Sequence, residues 1–283
     1  MISGNNQLCM LCGAKEYETI CSYSEPDKYE RAVGIALEGY KRKWVQCAGC
    51  GLYYSKYSRQ PDALDRIYIA DYRSGTSCWR NSTTEEIFNN VVALPPHQSE
   101  TKQRVNWIKS QIDNVWRGGI IKKGTPPYRI LDIGGATGVF AFEFRDAEWL
   151  PYIIDPSIDG SFIQSKYGIP YKQQYYKPGG FEERFDLIAL IFVLEHYCDP
   201  VSLLQQVRMD MKKDSLLYIE LPDALCFKHK PSDDDIFNSC HLWMFSPVTL
   251  SRLLDICGFE IFNLQRTKTI RGHYSLMSLS GIK

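Results

Sequence analysis

The sequence has no excess of charge of either sign: 33 Lys and Arg face 33 Asp and Glu. Without a basic surplus, a chain carries no electrostatic footprint for gripping a polyanion over its whole surface, which counts against nucleic acid as its partner. Long apolar runs are lacking too. The longest, residues 187–194 (LIALIFVL), falls far short of the ~20 residues needed to cross a bilayer, so it reads as a buried strand and no membrane segment is expected. The first residues, MISGNNQLCML, lack the basic start and apolar stretch of a secretory signal. The expectation is a soluble protein of the cytoplasm. Internal repeats and coiled-coil heptads are absent as well. At 283 residues the chain suffices for one large domain plus a small one.

Cysteine is not lacking. In an intracellular chain of this size ten cysteines do not imply disulfides, and four of them have a spacing of their own. Cys9-Met-Leu-Cys12-Gly13 and Cys47-Ala-Gly-Cys50-Gly51 are two CxxCG knuckles separated by 34 residues. In each, the turn lets two thiolates reach one ion, and the trailing glycine relieves the tight backbone. Together Cys9, Cys12, Cys47 and Cys50 form a closed tetrahedral set, the pattern of a structural zinc site. A catalytic zinc would need an open position. The stretches ETICSYS and KWVQC read as strands around a loop, so residues 1–58 are expected to form a zinc ribbon. Too small to hold a core alone, such a module gains on the order of 10 kcal/mol of folding energy from its ion. Cys21, Cys78, Cys198, Cys226, Cys240 and Cys257 lack knuckle spacing and read as small apolar residues. Lys41, Arg42 and Lys43 beside Trp44 make one small basic cluster, read as a solvated hairpin tip.

Residues 59–125 read as a helical lid and linker. Leu64, Ile67 and Tyr68 share one helical face, Ser82-Thr-Thr-Glu85 has the form of a capping box, and Val105, Ile108 and Ile112 mark a helix over 99–115. From residue 126 to 283 the pattern is α/β. RILDIGGATG, residues 129–138, is an apolar run that stops on Asp132 and turns through Gly134 and Gly138 into the helical VFAFEF. An open parallel sheet builds a nucleotide-sized site in this way. A dinucleotide fingerprint would need glycines at 134, 136 and 139, and Ala136 and Val139 exclude it. Some ~20 residues on, where such folds place the acid for ribose hydroxyls, YIIDPS puts Asp155 at a strand end. FDLIALIFVLEHYCDP and LLYIELPD supply two more strands, and GFEIFNLQRT with HYSLMSLS reads as a closing hairpin.

Asp132-x-Gly134-x-x-x-Gly138, Asp155, the Leu-Glu-His and Asp-Pro of residues 194–200 and the closing hairpin resemble the class I S-adenosylmethionine-dependent methyltransferases, in order. That resemblance implies an α/β, Rossmann-like, seven-stranded sheet with S-adenosylmethionine as cofactor. It implies that Asp132 orients the loop and meets the cofactor's amino end, while Gly134, Gly135, Ala136 and Gly138 admit its methionine and ribose portions. By the same resemblance Asp155 takes the ribose hydroxyls, Phe192, Val193 and Leu194 border the reacting centre, and Tyr68, Tyr72 and Arg73 are lid candidates. Ala136 stands where glycine is more usual and narrows the loop slightly.

An acceptor hydroxyl needs a base, and two histidines stand where one is wanted. His196 follows the fourth strand of the fold. His241, in NSCHLWMFSPVTL, lies between the fifth strand and a helix expected near Pro247, with the acid-rich SDDDIF before it. Glu195 reads as either orienting a neighbouring group or capping the next helix, with the cap favoured. A Cys₄ ribbon ahead of such a domain, with a later His-x-x-x-Phe-Ser, is similar to the bacterial deoxysugar C-methyltransferases, which act on nucleotide-linked keto sugars. Asn238 stands where that group has tyrosine, and the chain ends at Lys283 where that group continues into another α/β domain. Both departures disfavour C-methylation. The expected acceptor is a sugar hydroxyl or amine on a nucleotide sugar or a polysaccharide precursor, with RNA or a sugar carbon as the alternatives. A non-catalytic binding scaffold would have no reason to keep Asp132, Gly138 and Asp155 together.

Overall fold

The computed structural model describes residues 8–57, 82–158 and 160–283; the lid candidates Tyr68, Tyr72 and Arg73, and Cys78, lie outside them. The larger of two sheets has seven strands in the order β10-β11-β8-β7-β4-β5-β6. They are β4 (Tyr128–Ile133), β5 (Trp149–Asp155), β6 (Tyr171–Gln173), β7 (Phe185–Ile191), β8 (Met211–Pro222), β10 (Phe259–Lys268) and β11 (Tyr274–Ile282). Strands β4 to β8 pair in parallel, and β11 is antiparallel to both its neighbours, as the closing hairpin requires. The expected α/β sheet is present.

Alternation along the strands divides the core between the two faces. Ile130, Leu187, Ala189, Leu216 and Tyr218 pack toward helix α3 (Glu100–Arg117) and α4 (Val139–Phe144). Leu131, Ile133, Ile188, Leu190, Leu217 and Ile219 point the other way, against α6 (Pro200–Asp210) and α7 (Pro247–Ile256). On α3, Val105, Ile108, Ile112 and Val115 are buried as their spacing predicts, and each contributes roughly 1.5–3 kcal/mol by leaving water. Ser99 caps this helix, accepting from Lys102 N. Helix α2 (Thr84–Val92) does have a capping box, but Thr83 and Glu86 form it, one residue later than the sequence suggested. Helix α5 (Ser161–Tyr167) covers β5 and β6.

The smaller sheet has the order β1-β2-β3-β9. Its β1 (Tyr17–Tyr23), β2 (Arg42–Cys47) and β3 (Tyr53–Tyr57) come from the N-terminal segment expected to form the ribbon, with the short helix α1 (Lys28–Ala32) in the connection. The fourth strand, β9 (Trp243–Met244), comes from the other end of the chain and pairs Met244 with Tyr53 and Trp243 with Tyr54. Cys9, Leu11, Val45, Leu52 and Tyr54 belong to the same apolar cluster as α6 and α7. The N-terminal segment therefore shares the core of the larger sheet, which is how so small a module finds apolar surface to bury.

Two expectations for this region are corrected. Arg42 is not at a solvated tip: it is 2% exposed, and Trp44 beside it is fully buried. Strand alternation turns Arg42 inward, where carbonyl and carboxylate oxygens wait for it, and leaves Lys41 outside. Nor are all the unassigned cysteines buried, since Cys198 and Cys226 are exposed.

Candidate active site and metal centre

In the ribbon, Gly13 N donates to Cys9 O at 2.8 Å and Gly51 N to Cys47 O at 2.9 Å, closing the two knuckle turns. Both glycines have positive φ, 70° and 78°, which is why the knuckles end in glycine. The turns bring the four sulfurs within 4.8 Å of one another, Cys9 to Cys50 at 3.5 Å and Cys12 to Cys47 at 3.4 Å. A disulfide needs about 2.05 Å. Thiolates held tetrahedrally at about 2.3 Å from one ion stand about 3.8 Å apart, so the set fits a single cation. Burial opposes the Cys47 thiolate, but the Cys50 backbone N–H and neighbouring thiols outweigh it and hold the pKa down at about 7. Burial pushes Cys50 up to about 11 and Cys9 higher still. Only a cation lets all four ionise together.

The loop after β4 is built for close approach. A side chain on Gly134 would meet Val193 Cγ2 at 2.6 Å, one on Gly135 would meet Asp132 Oδ2 at 2.6 Å, and one on Gly138 would meet Ile163 Cγ1 at 2.6 Å. Gly134 and Gly138 also take φ of 76°, and Ala136 takes 48°, the conformation that the more usual glycine adopts without strain. Asp155 holds this loop, its Oδ2 accepting from Ala136 N at 2.9 Å. Its Oδ1 accepts from Ser157 N at 2.8 Å and from Ser157 Oγ at 2.7 Å. Asp132 and Asp155 are each 2% exposed at the ends of adjacent parallel strands, so two carboxylates underlie one loop whose upper surface, Gly134 to Thr137, is half open. Carboxylates beneath a glycine cradle suit a cationic sulfonium with vicinal hydroxyls.

Facing the loop is the exit of β7. Phe192 has φ 54°, a strained conformation for a bulky residue, and its N–H donates to Glu220 O at 2.9 Å. Phe192 and Val193 are half-exposed, whereas Leu194 is fully buried in the core and stands behind them. Glu195 does not cap the next helix; Asp199 does, accepting from Ser202 N at 3.0 Å. Instead Glu195 is buried with its Oε1 at 3.7 Å from His196 Nε2.

His196 and His241 come together from opposite sides, their rings stacked at 4.9 Å with an interplanar angle of 22°. His196 Nδ1 donates to Cys240 O at 2.7 Å and His241 Nδ1 to Ile236 O at 2.8 Å. A carbonyl can only accept, so both Nδ1 atoms carry a proton, and a neutral ring then keeps its lone pair at Nε2. Burial lowers the pKa of His241 below the ordinary imidazole value, against the pull of the Ile236 carbonyl and Asp235. The ring is therefore neutral at pH 7. A carboxylate and two imidazoles thus meet just beyond the end of β7, an arrangement able to take up a proton.

Sequence reasoning missed the support beneath this edge. Arg104 on α3 pairs with Glu220 on β8 through Nε and, at 3.0 Å, through Nη2; Tyr218 OH donates to Glu220 Oε2 at 2.7 Å. All three are buried, and the Arg104 guanidinium lies 5.9 Å from the Phe192 ring centre. One signal was available: Arg104 interrupts an apolar helical face, and Glu220 interrupts an apolar strand.

Residues 84–264 match the family described as methyltransferase domain, close to two-thirds of the chain. The chain is similar in structure to an S-adenosylmethionine-dependent methyltransferase from Clostridium acetobutylicum ATCC 824, with TM-score 0.50 and 10% identity, covering 70% of this chain and 98% of that one. Magnesium protoporphyrin IX methyltransferase from Synechocystis PCC 6803, solved with bound SAH, aligns with TM-score 0.47 and 15% identity over 71% of this chain and 95% of that one. A sequence relative, a tRNA U34 carboxymethyltransferase of Sulfurimonas denitrificans, is 26% identical over 55% of this chain, and the chain spans 58% of its length. No helix among the described residues is long and apolar enough to cross a membrane. The chain belongs to the methyltransferase-domain family.

Proposed function

We propose that the protein methylates a hydroxyl or amine of a sugar, carried on a nucleotide or on a surface-polysaccharide precursor. The observation that carries this reading is the His196–His241 stack beside buried Glu195, at the strand edge that bears the cofactor loop. When bound, S-adenosylmethionine supplies an activated methyl group on a sulfonium, so the protein has to position the acceptor, exclude water and take one proton. Asp132 and the backbone of Gly134, Gly135, Ala136 and Gly138 hold the methionine side. Asp155 holds the ribose side, Phe192 and Val193 border the methyl, and Leu194 backs them. Neutral His241, with His196 as its neighbour, accepts the acceptor's proton at Nε2. Zinc at Cys9, Cys12, Cys47 and Cys50 is structural in this reading.

The sugar assignment draws on the company the ribbon keeps: a Leu-Glu-His turn and a His-x-x-x-Phe-Ser segment. Transfer to carbon would need a group to stabilise a carbanion beside a ketone. Asn238, where a tyrosine would stand, is committed to the turn, donating to Asp235 O at 2.7 Å and accepting from Cys240 N at 2.9 Å. A second reading, tRNA, is favoured by the relative from Sulfurimonas denitrificans. Balanced charge and the burial of Arg42 in the basic cluster weigh against it. The test is calorimetry with S-adenosylhomocysteine, then transfer of labelled methyl to a panel of nucleotide sugars and to tRNA, with mass mapping of the product. Label on tRNA alone, or on a sugar carbon, overturns the sugar oxygen or nitrogen assignment.

A further inference from the structure

The loop that carries His241 is held from two sides. On the side of β7, Leu242 N donates to Glu195 O at 2.7 Å, Trp243 Nε1 to Tyr197 O at 2.8 Å, and His196 Nδ1 to Cys240 O at 2.7 Å. Those bonds tie the loop to the exit of β7. On the other side every tie comes from the ribbon. Phe237 O accepts from Arg42 Nη1 at 2.7 Å and from Trp44 Nε1 at 3.0 Å. Ser239 donates its N–H to Asp27 Oδ2 at 2.6 Å and its hydroxyl to Asp27 Oδ1 at 2.8 Å. Ser55 N donates to Leu242 O at 2.9 Å, and β9 then pairs with β3.

These ribbon groups are themselves fixed by buried polar contacts. Asp27 Oδ1 caps α1 through Tyr29 N and Glu30 N, and Asp27 Oδ2 meets Arg42 Nη2 at 3.4 Å. Arg42 Nε donates to Tyr40 OH at 3.0 Å, and Tyr40 OH in turn donates to fully buried Glu30 at 2.7 Å. Strand β2, which carries Arg42 and Trp44, ends on Cys47, and β3 begins three residues after Cys50. The knuckle thus joins the two strands on which the loop hangs.

We propose that the ribbon is a working part of the acceptor site, with Asp27, Arg42 and Trp44 as positioning residues that set His241 over His196. This rests on the reading of the histidine pair given under Proposed function. A module that only stabilised the fold would need apolar packing alone. Here two charged side chains and an indole are instead spent on two residues, Phe237 and Ser239, that flank the base by four and two positions. Bonds within the loop, such as Asn238 N to Asp235 O and His241 N to Asn238 O, fix its local shape, and the ribbon bonds fix where that turn sits against the exit of β7.

Asp27→Asn tests this with the helix cap kept, because asparagine is as good a cap as aspartate while its amide nitrogen can accept from neither Ser239 N nor Arg42 Nη2, the two bonds the proposal invokes at that atom. The expected result is native zinc content and unchanged affinity for S-adenosylhomocysteine by calorimetry. Amide exchange at residues 239–243 should rise about tenfold or more, the factor expected when one charge-assisted hydrogen bond is lost. The imidazole nitrogen signals of His196 and His241 should shift together, while amides of β4 and β5 keep their protection. Ser239→Ala, which removes only the hydroxyl bond on the loop side, should give the same pattern at smaller size. Unchanged exchange and unchanged imidazole signals in both variants overturn the proposal. Wild-type protein that binds S-adenosylhomocysteine yet methylates no sugar overturns the sugar reading and leaves the positioning result standing.

Discussion

Asp155→Asn is the sharpest perturbation of the proposed cofactor site, because the structure specifies how the carboxylate holds the loop. Its Oδ2 accepts from Ala136 N, and its Oδ1 accepts from Ser157 N and Ser157 Oγ, all within 2.7–2.9 Å. Asparagine is isosteric but offers one oxygen. Whichever way its amide turns, its NH₂ faces a backbone N–H, either at Ala136 or at Ser157. One charge-assisted bond is lost, a change of about 1.5–3 kcal/mol. Ala136 is the loop residue held at φ 48°, so relaxing it moves the backbone that lines the cradle. Passed fully to the ligand, that energy corresponds to roughly ten- to 150-fold weaker binding of S-adenosylhomocysteine, at 1.36 kcal/mol per factor of ten. Calorimetry measures the affinity, and thermal unfolding in the absence of ligand measures how much of the loss falls on stability instead. Undiminished affinity together with unchanged stability would show that Asp155 neither shapes the loop nor meets the ribose.

Elemental analysis of freshly purified protein should give about one zinc per chain, and Cys47→Ser should lower that content and loosen the ribbon; metal-free protein with an intact ribbon sinks the assignment. Arg104→Met should destabilise by about 3–5 kcal/mol in chemical denaturation, because Glu220 is left charged and buried, whereas a loss under about 1 kcal/mol would mean that water reaches the pair. His241→Ala should cut turnover by about a hundredfold or more while S-adenosylhomocysteine binds as before. The pH dependence follows from the lowered pKa of His241. Below the ordinary value of 6.5 the unfolded imidazole takes up a proton that the folded ring excludes, so stability falls as pH drops through that window, and His241→Asn should flatten the slope. A slope equal to that of the wild type would show that the ring is not shielded.

Much of the larger sheet was legible because its signals are local. Strands β4 and β7 are near-continuous apolar runs, glycines mark a turn with positive φ, and Asp132 and Asp155 stand within a residue of a strand end. Spacing likewise paired the two knuckles, since CxxCG closes within one turn. Harder to read were residues whose meaning depends on a distant partner. Arg42 looked like part of a basic tip, and only pairing with β1 and β3 turns it inward to Phe237 O. For Glu195 the sequence left a cap and a neighbour-orienting role both open and favoured the cap, but the cap is Asp199 and the Glu195 side chain lies beside His196.

The sequence by itself determined the chemistry on offer: a glycine loop with two strand-end acids, four thiols at metal spacing, and two histidines after the fourth and fifth strands of the fold. Those choices are made within a few residues, by backbone conformation and side-chain reach. Only the tertiary structure decided that His196 and His241 stack, and that a strand from residues 243–244 completes a sheet begun by residues 17–57. Such contacts join positions 45 residues apart in the histidine pair and about 190 apart in the strand pair, and their geometry is set by how two sheets share one core, which no local pattern records.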